Sequence, residues 1–274
     1  IVRSLVGSEM CIRDRLYCRV FGAAVLFWFI SFFLKWEKVE IKDFKLIVIC
    51  AFFGMGLNMI TSLHGLYNST PINSAIITTL APIFIFLISV ILIKEKITYR
   101  KYLGVFIGFC GTLTLILLNE KSVINAPNIN LGNFYFFINS LSYALYFVLV
   151  KPLTKKYKMI TIMKWLFLFS IFINIPFGLI EFSQINWVEI SRTSLLKVSY
   201  VVICTTFLVY LLNLYALKNL KASTVGMFIY LQPVIGILFA IYRGADKLTL
   251  ADISSVLLVF TGVYLVSKKT SKAT

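Results

Sequence analysis

Few side chains in this 274-residue chain can do chemistry, and the most regularly placed of them are neutral. Asn58, Thr61 and Ser62 share one face of an apolar run, with Gly54 and Gly65 beside them. Asn139, Ser142, Tyr143 and Tyr146 recur at helical spacing in a second run, and Thr206, Tyr210 and Asn213 in a third. Gln232 stands at the middle of a fourth, next to Pro233. Residues three and four apart lie on one face of a helix. Amides, hydroxyls and phenols arranged this way can hydrogen-bond a polar solute. Each residue taken singly is explained as well by bonding between helices in lipid, where small and polar side chains let helices meet. Together, four stripes near mid-run predict a cavity that binds a small polar or amphipathic metabolite.

Catalysis and metal binding find less support. His64 is the one histidine; it could carry a proton, although an interfacial His held by its neighbours is the plainer reading. The five cysteines are odd in number, show no CxxC spacing and predict neither a disulfide framework nor a metal site. A membrane enzyme needs catalytic groups gathered at one membrane face, and isolated acids with a lone His make no such cluster. The absence of GxxxxGK[ST] disfavours an ATP-driven pump. No cofactor, metal or catalytic residue is predicted.

The elements that position these side chains follow from composition. Hydrophobic residues make up 59% of the chain and charged residues only 14%, with a mean hydropathy of +0.90. Soluble domains carry about 25% charged residues, so a water-soluble globule, a disordered chain and a nucleic-acid-binding domain are excluded despite the net charge of +16. Nine apolar runs remain, at about 16–34, 46–67, 72–93, 102–118, 131–150, 160–180, 198–217, 222–242 and 253–266. Each is about long enough to cross a bilayer. Helices are required there because backbone groups in lipid must be satisfied within the segment. The predicted fold is an all-α polytopic membrane protein. Alternate loops hold seventeen and five Lys and Arg residues, which predicts a cytoplasmic C-terminus.

Sliding the chain on itself by 151 residues aligns 64–115 with 215–266, with roughly ten identities. Pro82 falls on Pro233 and Gly111 on Gly262, while Glu95 meets Asp246. A mid-span Pro removes a helical hydrogen bond, so both prolines predict kinks. Gly104, Gly108 and Gly111, with Gly262 in the second copy, predict close helix packing. An odd number of helices per copy would insert the two copies with opposite orientation. Arg19 and Lys164 lie near span ends and are expected to snorkel. Glu95 and Asp246, also at span ends, suit a salt bridge or helix-end contact.

Three stretches resemble the EamA-type transporters of the drug/metabolite transporter superfamily. They are YCRVFGAAVLFWF around Arg19, SAIITTLAPIFIFLISVILIKEKIT with Pro82 and Glu95, and the glycine-studded GVFIGFCGTLTLIL. Lys94 departs from the family pattern, in which Gly precedes the Glu, and Asp246 replaces the usual Glu. The resemblance implies ten helices in two inverted five-helix repeats, of which about nine are retained here. The expected layout is a first repeat at 16–118 lacking its first helix, a linker at 119–130, a second repeat at 131–268 and a cytoplasmic tail at 269–274. Residues 1–15 resemble translated adaptor read-through and are expected to be a non-native or disordered leader. The expected activity is secondary, ATP-independent transport by alternating access. A non-transporting scaffold or inactive fragment is the alternative, and an integral membrane enzyme a weaker one. Lipid bilayer and a small-molecule substrate are the expected partners, and a homodimer is compatible with the pattern. Lys-rich, Ile-rich coding resembles an AT-rich bacterial genome and points to the inner membrane.

Overall fold

The computed structural model describes residues 12–69, 71–95, 98–118, 127–183, 192–242 and 250–267. Among them there is no strand. The helices run in chain order α1 (Ile12–Phe32), α2 (Ile41–Ala51), α3 (Asn58–Asn68), α4 (Pro71–Thr78), α5 (Ala81–Ile93), α6 (Tyr99–Leu118) and α7 (Ile129–Leu149). They continue with α8 (Lys151–Lys156), α9 (Met159–Ser183), α10 (Arg192–Tyr200), α11 (Val209–Asn219), α12 (Ala222–Met227), α13 (Leu231–Tyr242) and α14 (Leu250–Ser267). A π-helical segment, Phe52–Leu57, joins α2 to α3, and another, Val201–Leu208, joins α10 to α11. Five described helices are long and apolar enough to cross a membrane: Ile41–Asn68, Asn73–Ile93, Ile129–Lys156, Met159–Pro176 and Val198–Asn219. The chain is an all-α polytopic membrane protein.

Each apolar run becomes a helix, and several helices extend past it. The helix through α2 starts at Ile41, five residues before the apolar run, because Lys42, Asp43 and Lys45 are polar without breaking a helix. Helix α1 begins at Ile12, inside the stretch set aside as a leader. Residues 1–11, most of the 119–130 linker, and 268–274 lie outside the described residues, as do Asp246 and Lys247.

The two prolines stand in different local settings. Pro82 opens α5 just after a turn at Thr79 and Leu80, whose N–H groups bond to the carbonyls of Ile76 and Ile77. A proline in the first turn of a helix offers no N–H where none is needed. Ahead of Pro233 the chain tightens into a 3-10 turn at Phe228–Tyr230. Lys94 closes α5 with φ 49° and ψ 44°, in the left-handed region, at the position where the family pattern has Gly.

The chain forms two compact units, and neither coincides with a sequence half. Unit 1 comprises Ile1–Leu63 and Leu149–Asn219; unit 2 comprises His64–Val148 and Leu220–Thr274. In unit 1, α1 lies along α9 and against the second π segment, while the first π segment packs on α9. Phe27, Ile47, Leu166, Phe167 and Leu214 are buried there.

In unit 2, α6 runs along α14, and Phe86, Val105, Met227, Tyr230, Val234, Val259 and Val263 form the core. The α6–α14 crossing requires glycine. A methyl on Gly104 would come within 2.7 Å of the Gly262 carbonyl oxygen, and one on Gly262 within 2.6 Å of the Gly104 carbonyl oxygen.

Two outcomes follow for unfolding midpoints of purified protein in detergent. Gly262→Val forces backbone apart and should destabilise by about 2 kcal/mol, in the range of overpacked cores. Lys94→Gly relieves the left-handed residue and should stabilise by about 1 kcal/mol.

Candidate functional site

The clearest polar constellation inside a span lies in unit 1, on the two π segments. An α-helix that takes in one extra residue opens its ladder and leaves a carbonyl in need of a donor. At the first segment the Tyr210 hydroxyl donates to the Gly54 carbonyl at 3.4 Å, and the Asn174 amide donates to the Met55 carbonyl at 3.4 Å. At the second, Thr206 donates its hydroxyl proton to the Val201 carbonyl at 3.0 Å. The Thr206 oxygen then accepts the Arg19 Nε–H at 3.0 Å. Gly22, one turn after Arg19, lets α1 close on this segment, since a methyl there would meet Val202 at 2.8 Å.

This cluster is deep. Gly54 sits at the middle of Ile41–Asn68, and Thr206 within three residues of the middle of Val198–Asn219. Arg19 therefore does not snorkel to a span end; its guanidinium is drawn inward to the centre of a neighbouring helix. Around it stand aromatic rings: Phe167 edge-on to Tyr210 at 5.4 Å, Phe27 at 5.2 Å from Phe167 and at 4.5 Å from Phe207.

The remaining predicted residues are distributed over the two units. In unit 1, Thr61 is buried and turns its hydroxyl back to the carbonyls of Leu57 and Asn58, while Asn58, Ser62 and Asn213 are half-buried. In unit 2, Ser142 and Tyr146 are buried and Asn139 and Tyr143 half-buried along α7, with the Tyr143 ring 6.2 Å from Tyr146. Gln232 is exposed on the same side of its helix as Phe228 and Ile235, which are also exposed. The His64 ring faces Tyr135 at 5.3 Å. Among the described residues no group of His, Cys, Asp and Glu is placed to hold a metal.

Three features escaped the sequence reading. Arg19 was assigned to a span end. Asn174, fully buried on α9, was passed over although a lone amide in an apolar helix is itself a signal. Lys164 was also expected to snorkel, yet it is 2% exposed, with its ammonium 4.0 Å from the Trp36 ring and 5.1 Å from Trp28. These contacts are cation–π interactions, which gain strength away from water.

Charged groups at the basic ends of the spans act as fasteners. In unit 1, Lys156 bonds to Glu40 at 2.8 Å and to Asp43, which also accepts the Tyr157 hydroxyl. The hydrogen bond from Lys156, reinforced by Lys42, holds the Glu40 carboxyl below its ordinary range. In unit 2, Glu95 and Lys101 form a buried pair at 3.3 Å, with side chains 5% and 9% exposed. Lys101 also donates to Ser223 at 3.0 Å and Thr224 at 3.2 Å, and Glu95 accepts the Ser223 hydroxyl. The salt-bridge expectation for Glu95 is met by this arrangement, which ties α5, α6 and α12 together.

The EamA-like transporter family model matches residues 15–117 and again 130–268. The chain belongs to the EamA-like transporter family. An uncharacterized transporter of Archaeoglobus fulgidus is 27% identical over 234 residues, covering 85% of this chain and 81% of its own length. The uncharacterized transporter YetK of Bacillus subtilis is 25% identical over 199 residues, 73% of this chain and 60% of YetK. The WAT1-related protein At3g18200 of Arabidopsis thaliana is 25% identical over 266 residues, 84% of this chain and 67% of the plant protein. One crystal structure shares the fold with a TM-score of 0.80 at 15% identity, over 97% of this chain and 91% of that one.

Removing one member of the buried pair in unit 2 leaves the other charge without compensation. Lys101→Met should cost about 3 kcal/mol, and Lys101→Met with Glu95→Gln should recover most of it. Comparing both unfolding midpoints with wild type checks the assignment.

Proposed function

We propose that this family member is a secondary transporter that moves a small polar or amphipathic metabolite by alternating access of two inverted repeats. The observation that carries the reading is the pair of π segments. They occupy corresponding positions under the 151-residue offset, since 52–57 maps onto 203–208 within Val201–Leu208. Such segments are frequent at functional sites; here the second carries Thr205 and Thr206, and the carbonyls of the first accept from Tyr210 and Asn174. Discontinuous helices at corresponding positions of two halves mark the binding sites of many carriers.

Contacts within the units support the repeat as well. Gly104 touches Gly262 on the α6–α14 crossing, and Ser255 touches Gly111, the pair obtained by exchanging halves. The double match of the family model falls one segment to each half. The seventeen-to-five distribution of basic loop residues supports a cytoplasmic C-terminus, and the Lys-rich, Ile-rich composition a bacterial inner membrane.

Arg19, Thr206, Tyr210 and the Gly54 carbonyl form the binding locus in this reading. Asn58 and Asn213, in the same unit, would contribute as the carrier changes state. No carboxylate lies deep in any apolar run, so the reading does not require coupling through a buried Asp or Glu.

The test compares metabolites inside and outside bacteria that overproduce the wild-type chain, Thr206→Val, Tyr210→Phe or no transporter. Wild type should redistribute at least one metabolite, and either substitution should slow that flux by about tenfold, as expected for one lost buried hydrogen bond. Equal flux in all four strains would reject the transporter reading and favour a non-transporting scaffold.

A further inference from the structure

We propose that the unit 1 site takes an anion, a carboxylate or phosphate group borne on a small organic body and held by the Arg19 guanidinium. This rests on the transporter reading and narrows its substrate. The first step is charge. An arginine side chain cannot shed its proton, unlike a buried lysine, so it stays cationic wherever the fold puts it. The fold puts it at Thr206, near the middle of an apolar stretch. An ion in low dielectric without a partner is costly enough that such groups pair, ligate or bind something.

No ion pair to Arg19 exists among the described residues. The acids of unit 1 whose side chains are described, Glu37, Glu40 and Asp43, are engaged by Lys158, Lys156 and Tyr157 at the basic end. Glu95 belongs to the buried pair of unit 2. Cation–π contact, which accommodates Lys164 between Trp28 and Trp36, is not formed by Arg19 among the described rings.

The second step is geometry. Arg19 spends Nε, its single inner donor, on Thr206. The Thr206 oxygen is a fixed acceptor because its own proton goes to Val201. That arrangement orients the guanidinium plane and leaves both terminal nitrogens, with their four N–H groups, free of protein partners among the described residues. Two parallel N–H vectors on one planar edge match a carboxylate or phosphate bidentately. Thr206 thereby serves as a positioning residue for Arg19.

The test measures thermal unfolding of the purified full chain in detergent against benzoate, inorganic phosphate and the neutral isostere benzamide, at constant ionic strength. The expected result is a saturable rise of several degrees with benzoate or phosphate and none with benzamide. Arg19→Gln should abolish the rise, and without anion it should melt no lower than wild type because an uncompensated charge has gone. Arg19→Lys, which keeps the charge without the fork, should respond more weakly. Thr206→Val, which keeps the whole guanidinium and loses only its orientation, should need about tenfold more anion for the same shift. A wild type indifferent to both anions, or an Arg19→Gln protein responding like wild type, overturns the proposal.

Flux separates the two readings. If Arg19→Gln transports like wild type while Thr206→Val and Tyr210→Phe do not, the anion assignment falls and the carrier stands. If anion binding depends on Arg19 but flux is absent throughout, the carrier reading falls and the site stands.

Discussion

Lipid offers no hydrogen bonds, so every backbone carbonyl released within a span must find its donor in the protein. Unit 1 is organised around that constraint. Two helices that would otherwise be regular open into π segments; side chains from other helices close the first, and Thr206 closes the second from within. Tyr210 reaches Gly54, and Asn174 reaches Met55. A residue drawn into such a role is fixed in place, because withdrawing it would leave a polar group bare in hydrocarbon. The π segments therefore both weaken two helices locally and assemble polar chemistry where a membrane protein can least tolerate it without a purpose. Arg19 is the extreme case, since its bond to Thr206 brings a permanent charge to the same level.

Packing explains why this arrangement needs both halves of the sequence. α1 lies against α9 and the second π segment, and α9 in turn supports the first. The aromatic rings between them, Phe27, Phe167 and Phe207, come from three different helices. In unit 2 the contact of α6 with α14 is likewise between corresponding helices of the two halves. Each compact unit draws on both halves of the sequence, so neither half closes a core by itself.

Much of the architecture was legible from residue order because the bilayer imposes a length on each apolar run, and the helices appear where those runs are. The π segments were not legible, since FFGMGL and VVICTTFL have compositions that suit an ordinary α-helix. The first is bonded by donors from distant helices, Tyr210 and Asn174, which local composition does not reveal. Arg19 was misplaced for a related reason. The apolar run starts at Leu16, but the helix begins at Ile12, so Arg19 stands three residues from its middle, and its partner lies 187 residues away. Lys164 shows the same limit, as its two tryptophans lie on α1 and just beyond it. Local pattern locates backbone; tertiary contact decides where a long cation ends.

The two unusual cations of unit 1 are accommodated in opposite ways, and the difference bears on function. Lys164 is enclosed by indole faces, which attract the ammonium through their quadrupoles and need no anion. It is thereby a finished structural element. Among the described residues Arg19 has one neutral hydrogen bond and no ion pair, and in the proposed reading an anionic solute completes its surroundings. A carrier must hold its solute in one state and release it in the next, and a charge left deliberately incomplete is suited to that task. Were Arg19 paired to a protein carboxylate, the site would already be neutral and an anionic solute would gain little by entering. No acid lies deep in an apolar run, and among the described residues Arg19 has no ion pair, so the proposed anion would meet an uncompensated positive charge.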